Sequence, residues 1–207
     1  MSSSAAPAFP KPVLFGVFVL SGISALIYQL VWQRSLLMIF GSNVESVAMV
    51  VAAFLMGLGI GSIAGGWVSK QERVSLVLCF GIAELCIGAY GLISLALFNW
   101  VDQHVAMPGG MLTGVLAFAL VFIPTLLMGS TLPLLVAQQV RSKASVGEAV
   151  SWLYFVNTLG AAIGAFVAAK WVLGSMGLSG SVKLAACFNA VAALVILGTA
   201  AIRRSRA

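Results

Sequence analysis

Long apolar segments separated by short polar ones make up almost the whole chain. Each is long enough for the roughly 20 residues that a helix needs to cross a bilayer. None shows the strict alternation of apolar and polar residues that marks a half-buried strand. The pattern predicts an all-α integral membrane protein with six transmembrane helices. They span approximately residues 13–40, 44–68, 74–100, 111–140, 150–172 and 178–202.

Composition and charge fit this interpretation. Hydrophobic residues make up 61% of the chain and charged residues 8%, whereas soluble domains are about 25% charged. The net charge of +6 comes from basic residues near the ends of the spans, which indicates topology rather than nucleic-acid binding. Their distribution predicts a bacterial inner-membrane protein with both termini cytoplasmic. Residues 1–12 form a disordered tail and residues 203–207 a basic one.

Small residues line one face of three predicted helices, which lets another backbone approach closely. We expect helix packing at seven glycines in particular, Gly57, Gly61, Gly65, Gly81, Gly88, Gly160 and Gly164. Helices two and five carry similar stripes at corresponding places in a first and a second triplet of helices. This arrangement predicts a 3+3 inverted repeat, like half of a major-facilitator transporter.

Glu84 is the most prominent candidate for a functional residue. It lies near the middle of the third span, on the glycine-lined face. An ionisable group inside a membrane is a functional hypothesis by default, here a proton-coupling group or a site for a cationic ligand. The alternative is a hydrogen-bonded structural carboxyl that holds helix three to helix one or five.

A second candidate group lies on helix one. Gln29 and Gln33 share one face, and Tyr28 and Trp32 share the neighbouring one. Amides beside aromatic rings suit a small polar or cationic ligand, and Asn157 adds an amide on helix five. The alternative is interhelical hydrogen bonding together with an aromatic belt.

The remaining polar residues predict no cofactor and no metal site. Arg34 and Glu45 flank the first turn and are expected to form an ion pair. Asp102 and His104 are only two possible ligands, fewer than a metal site needs.

Five sequence strings resemble the integral-membrane domain of bacterial spermidine synthase-like proteins, also described as fused major-facilitator and polyamine aminopropyltransferase proteins. The strings are SGISALIYQLVWQR at 21–34, FLMGLGIGSIAGG at 54–66, AELCIGAYGL at 83–92, PTLLMGSTLPLL at 124–135 and LYFVNTLGAAIGA at 153–165. Larger members of that family continue into a soluble catalytic domain, for which this sequence offers no counterpart. The resemblance therefore implies a membrane module and not an aminopropyltransferase.

Three functions remain open at this point. The first-ranked is a non-catalytic membrane subunit or anchor for a separate partner, such as an enzyme related to spermidine synthase. Close behind is a transporter-like module for a small polar or cationic metabolite, lined by Gln29, Glu84 and Asn157 and working as a homodimer. An enzyme acting on a lipid-soluble substrate ranks last, because no nucleophile, base and orienting group can be assembled. The expected partners are the lipid bilayer and further protein subunits.

Overall fold

The computed structural model describes residues 9–40, 44–104, 111–142 and 144–205, and their regular structure is entirely helical. A five-residue π-helical turn, Ala168–Val172, joins the last two helices. The helices are α1 (Lys11–Phe40), α2 (Val44–Ser69), α3 (Leu76–His104), α4 (Met111–Arg141), α5 (Val146–Val167) and α6 (Leu173–Arg204). The predicted helical class is therefore confirmed.

Five segments are long and apolar enough to cross a membrane, where the sequence predicts six. They are Lys11–Ile39, Val47–Ser69, Leu76–His104, Gly114–Arg141 and Val146–Arg203. The last contains 58 residues and combines the predicted fifth and sixth spans. At 1.5 Å per residue it would be about 87 Å long if straight, far more than a bilayer of about 30 Å.

The sequence predicts separate fifth and sixth spans, 150–172 and 178–202, with a connection between them. In the structure Leu173 to Met176, which lie in that connection, are helical. Gly177 alone leaves helical geometry, with φ 63° and ψ −172°. This conformation is essentially restricted to glycine, so Gly177 is the break in the 58-residue segment.

Replacing Gly177 with alanine should destabilise the protein by about 1–3 kcal/mol, the typical cost of such a strained backbone conformation. Thermal unfolding in detergent would show a lower midpoint temperature. Gly174→Ala is the matched control, since Gly174 lies in the helix and an added Cβ there would meet no atom within 4 Å. Equal midpoints for the two variants would contradict the assignment of the break to Gly177.

Close glycine contacts hold α1 against α5. A methyl group on Gly160 would overlap the backbone of Val19, and one on Gly164 the backbone of Ile23. The contact moves from Val19 to Ile23 along α1 as it moves from Gly160 to Gly164 along α5. The two helices therefore run in the same direction. An ion pair between Lys11 Nζ and Glu148 Oε1, 2.8 Å long, joins their first turns.

The contact of α2 with α4 is built in the same way. Gly61 lies against the backbone of Leu126, and Gly65 against that of Ser130. These two helices are therefore also parallel to one another. Gly57, one turn earlier on α2, lies against the Thr125 side chain.

The third close pair, α3 with α6, runs in opposite directions. Gly81 packs on the side chain of Leu197, whereas Gly88, further along α3, packs on Asn189, which is earlier in α6. α6 also packs against α1, and α3 against α4.

Two apolar clusters fill the interior at different depths. One lies near the start of α1 and includes Phe18 and Phe80. The other follows further along α1 and includes Ile27 and Trp32. Many large apolar side chains elsewhere face outward, for example Ile63 with 75% of its surface exposed. An apolar exterior of this extent suits a lipid environment.

Candidate functional site

A buried carboxylate lies at the level between the two apolar clusters. Glu84, on α3, has no exposed surface. Ser21 Oγ, on α1, donates a hydrogen bond of 2.6 Å to Glu84 Oε1. Asn189 Nδ2, on α6, donates one of 2.7 Å to Glu84 Oε2. Each carboxylate oxygen therefore has one donor, and three side chains join three helices.

Two hydrogen bonds, and no cation among the described side chains, contact this buried carboxyl group. Within the described parts of the chain, the one ion pair is that of Lys11 with Glu148, which is exposed. A hydrogen bond to a charged group contributes about 1.5–3 kcal/mol. Ser21 and Asn189 thus offset part of the cost of taking Glu84 out of water. The arrangement is an interhelical tie.

The sequence identifies Glu84 but misses both of its donors. Ser21 opens the polar string at 21–34, and Asn189 is the single amide of α6. That isolated amide was the available signal. The predicted structural alternative joined helix three to helix one or five, and the structure joins it to α1 and α6.

Beyond Ser21, the inward face of α1 is aromatic. Tyr28 and Trp32 have no exposed surface, and their rings stack with centroids 5.1 Å apart. Trp32 Nε1 donates a 2.9 Å hydrogen bond to Ser94 Oγ on α3. Tyr90 packs edge-on against Trp32 at 5.9 Å. These contacts hold α1 to α3 along a second stretch of their length.

The predicted amide face does not join the carboxylate. Gln29 and Gln33 are only half-buried on the flank of α1, and neither hydrogen-bonds Glu84 among the described contacts. Asn157 is half-buried on α5, where its backbone packs against Gly22. The structure therefore brings Glu84 together with Ser21 and Asn189 instead of with Gln29 and Asn157.

A cavity of about 80 Å³ lies between α1, α2, α4 and α5, next to this tie. Ser21, Thr131 and Asn157 give it three polar lining residues, and Phe54 and Met128 are among the apolar ones. Since water occupies about 30 Å³ per molecule, the cavity has room for two or three waters. Ser21 connects it to the buried carboxylate.

Three buried polar atoms lack a hydrogen-bond partner among the described residues, Tyr28 Oη, Asn189 Oδ1 and Gln139 Nε2. Buried polar groups in proteins normally have partners. The first two belong to side chains that line the α1–α3–α6 interior, so a hydroxyl donor and an amide acceptor are free there.

The other predicted sites contribute no chemistry to this interior. Arg34 is exposed on α1, and its predicted ion pair with Glu45 involves a side chain that the structure does not describe. Asp102 and His104 belong to the last turn of α3, and the His104 ring stacks on Trp100. In the described ranges, no three histidines, cysteines or acidic residues come together as a metal site would require.

Comparison with known proteins gives one informative relative. The chain is 24% identical over 187 residues to a protein from Streptomyces coelicolor called polyamine aminopropyltransferase 1. The alignment covers 89% of this chain and 33% of the relative, so the chain spans about a third of the relative's length. No protein-family model matches the chain, and no solved structure matches it.

Proposed function

We propose that this chain is a non-catalytic membrane module that anchors a separate aminopropyltransferase-type partner. One observation carries the proposal: the similarity to a polyamine aminopropyltransferase runs through 89% of this chain, and the described part of the chain is helical and largely apolar. The shared part is therefore the apolar helical bundle. On this proposal the bundle supplies membrane attachment, and the partner supplies the chemistry.

The interior of the bundle favours a scaffold over a ligand site. Both oxygens of Glu84 are already occupied by donors from α1 and α6. The adjoining cavity of about 80 Å³ is well below the roughly 300–1,000 Å³ of typical small-molecule pockets. A tie of this kind keeps three helices in fixed register, which is what an anchor requires.

The proposed architecture has six membrane crossings arranged as two inverted triplets. The contacts of α1 with α5 and of α2 with α4 are both parallel, and that of α3 with α6 is antiparallel. Helices that alternate in direction, with the 58-residue segment turning back at Gly177, account for all three observations. Exchanging the triplets converts the α1–α5 pair into α2–α4 and the α1–α6 pair into α3–α4, and it leaves α3–α6 unchanged, whereas the smaller α1–α3 contact has no such counterpart.

The glycine contacts support the repeat at the level of residues. In each parallel pair both helices contribute glycines: α5 contributes two and α1 one, and α2 contributes three and α4 one. Gly61 and Gly65 of α2 correspond to Gly160 and Gly164 of α5. The residues that these glycines contact have the same spacing in both pairs: Val19, Gly22 and Ile23 in α1, and Leu126, Gly129 and Ser130 in α4. Gly22 in turn lies against Asn157 of α5, as Gly129 lies against Leu58 of α2.

Charge supports an inner-membrane location with both termini cytoplasmic. Lys70, Arg73 and Arg141 lie where α2 and α4 end and α3 begins. Lys11 and Arg203 lie at the first turn of α1 and the last turn of α6. In the proposed topology these five residues share one face of the membrane, as expected for the cytoplasmic side.

A transporter-like module is the second candidate, and one observation favours it. Ser21 contacts both the carboxylate of Glu84 and the polar cavity, which gives a buried ionisable group a hydrogen-bonded connection to a small polar space. Such groups mark ion and proton pathways in membrane proteins. A single six-helix bundle supplies half of a rocking-bundle transporter, so this candidate requires a homodimer.

Purification in a mild nonionic detergent tests the choice between these candidates. We expect the chain to copurify, in stoichiometric amounts, with a soluble protein that catalyses aminopropyl transfer, and the chain alone to have no such activity. Mass spectrometry of the purified complex identifies the partner and the stoichiometry. A homodimer that supports Glu84-dependent uptake into liposomes, with no soluble partner, would overturn the anchor proposal.

A further inference from the structure

A large groove opens on the outer surface of the bundle between α2, α3 and α4. Its volume is about 390 Å³, several times that of the interior cavity. Its lining is apolar apart from Ser130, whose hydroxyl is already used in a 2.7 Å hydrogen bond to Leu127 O. The walls are formed mainly by Ala64, Val68, Ile82, Cys86, Leu126 and Leu134.

A fixed cation stands where the same three helices meet the end of the bundle. The guanidinium of Arg141, at the last turn of α4, donates to the carbonyl oxygens of Ser69, Gln71 and Val74 at 2.9, 2.9 and 3.3 Å. These three carbonyls belong to the end of α2 and the connection to α3. Arg141 therefore attaches α4 to that connection and places its charge there.

Two further cations, Lys70 and Arg73, are exposed in the same connection. Lys70 follows two residues after Val68, which lines the groove, and Arg73 precedes Cys79, which also lines it. Glu72 is the one acidic residue of this connection. Together with Arg141, the groups leave a net positive charge at this end of the groove.

We propose that this groove binds an anionic glycerophospholipid of the surrounding bilayer, with an acyl chain between α2, α3 and α4 and its phosphate against Lys70 and Arg73. Two features of the groove match two parts of such a lipid. The apolar walls match the acyl chain, and the basic residues at the end of the groove match the anionic head group. Basic pockets between transmembrane helices are a recognised way of binding anionic head groups.

The groove chemistry selects against other occupants. A zwitterionic phospholipid carries its own ammonium, which would meet the three cations of the rim. An irregular peptide segment would expose backbone amides to walls that offer them no hydrogen-bond partner. A helix from a second copy would fill the apolar part but leave the basic rim without a counterion.

Native mass spectrometry of the detergent-purified chain, mixed with phosphatidylglycerol or phosphatidylethanolamine of identical acyl chains, tests the head-group contact. We expect phosphatidylglycerol to be retained preferentially. Each basic residue near an anionic surface contributes about fivefold in affinity, so Lys70→Gln with Arg73→Gln should weaken retention by about 25-fold. Lys170→Gln with Lys183→Gln removes the same charge from two exposed lysines outside the groove and should change retention little.

A second pair of variants tests the chain contact. Cys86 is exposed and lines the groove, whereas Cys187 is exposed on α6 outside it. We expect Cys86→Phe to reduce phosphatidylglycerol retention at least fivefold and Cys187→Phe to leave it unchanged. Ala64→Phe fills the same groove from α2 and provides an independent variant should Cys86→Phe fail to fold.

Four results would overturn the proposal. The first is equal retention of the two lipids, and the second is an equal effect of the two lysine-containing double variants. The third is full retention by a folded groove-filling variant, which would mean that the basic end binds head groups with the groove unoccupied. A lipid-free dimer that buries the groove also contradicts it.

Discussion

Replacing Gly61 with alanine should lower the thermal unfolding midpoint of the detergent-solubilised protein by about 5 °C. A methyl group at this position would overlap the carbonyl group of Leu126 on α4, and that carbonyl belongs to a helix backbone that cannot rotate away. Overpacking typically costs about 1–3 kcal/mol, and each kcal/mol corresponds to about 2–4 °C in a chain of this size.

Gly59→Ala is the matched control for this prediction. Gly59 stands two residues earlier on the same helix, and an added Cβ there would meet no atom within 4 Å. The control should keep or slightly raise the midpoint, because alanine favours helix more than glycine does. Size-exclusion chromatography after heating measures both variants. If Gly59→Ala lost as much stability as Gly61→Ala, the close approach of α4 would not be the cause of the loss.

The proposed inverted repeat extends the prediction to the other parallel pair. Gly160 takes the place of Gly61 in the second triplet and lies against the backbone of Val19. Gly160→Ala should therefore lower the midpoint by a similar amount. A negligible effect of Gly160→Ala beside a large effect of Gly61→Ala would show that the two pairs are not mechanically equivalent, which would weaken the proposed repeat.

Much of this fold could be predicted from the sequence, because lipid imposes a simple constraint. A helix that crosses a bilayer must satisfy its backbone internally and present apolar side chains, so length and hydropathy alone locate the helices. Small-residue stripes likewise identify faces that permit close packing. The partner of each stripe could not be predicted, since a glycine carries no information about the backbone that approaches it.

The end of the chain shows where local patterns are insufficient. The predicted fifth and sixth spans leave residues 173–177 between them as a loop, yet only Gly177 breaks the helix. Glycine tolerates both helical and positive-φ conformations, so the residue type does not decide whether Gly174 or Gly177 leaves the helix.

The candidate site was predicted in part for a similar reason. A lone carboxylate in an apolar span stands out whatever its partners are, so Glu84 could be identified. The faces of α1 were harder, because the aromatic and amide faces are neighbours on the helix and either one can point inward. The structure buries Tyr28 and Trp32, whose large apolar area gains more from burial, and leaves Gln29 and Gln33 on the flank.

Replacing Asn189 with leucine should have the second large effect. We expect the free energy of unfolding to fall by about 1.5–3 kcal/mol. The substitution removes the donor to Glu84 Oε2 and keeps the same number and branching of side-chain heavy atoms. A buried polar group that loses its hydrogen-bond partner incurs the full cost of its desolvation, which is larger for a charged group. Thermal unfolding in detergent measures the loss, which we expect to be about 3–12 °C.

The double variant Glu84→Leu with Asn189→Leu distinguishes the interaction between these two residues from the contribution of each residue alone. Replacing both partners of a buried polar pair by apolar groups of similar shape can be nearly neutral. Ser21 can then donate to a carbonyl one turn earlier in its own helix. The double variant should therefore unfold within about 2 °C of the unaltered protein, well above Asn189→Leu. Additive losses would show that Glu84 and Asn189 do not stabilise one another.

The same variants distinguish a scaffold from a transport site. In Glu84→Gln, the amide retains an acceptor for Ser21, and a rotated Asn189 can offer its unpartnered Oδ1 to the new amide group. If Glu84 acts only as an interhelical tie, both Glu84→Gln and the stable double variant keep partner binding and stoichiometry. A proton-coupled transporter would instead lose pH-dependent uptake in both, because neither side chain can exchange a proton. Stability retained together with uptake lost would therefore assign the carboxylate to transport, since the tie would be intact and only the ionisable group would be missing.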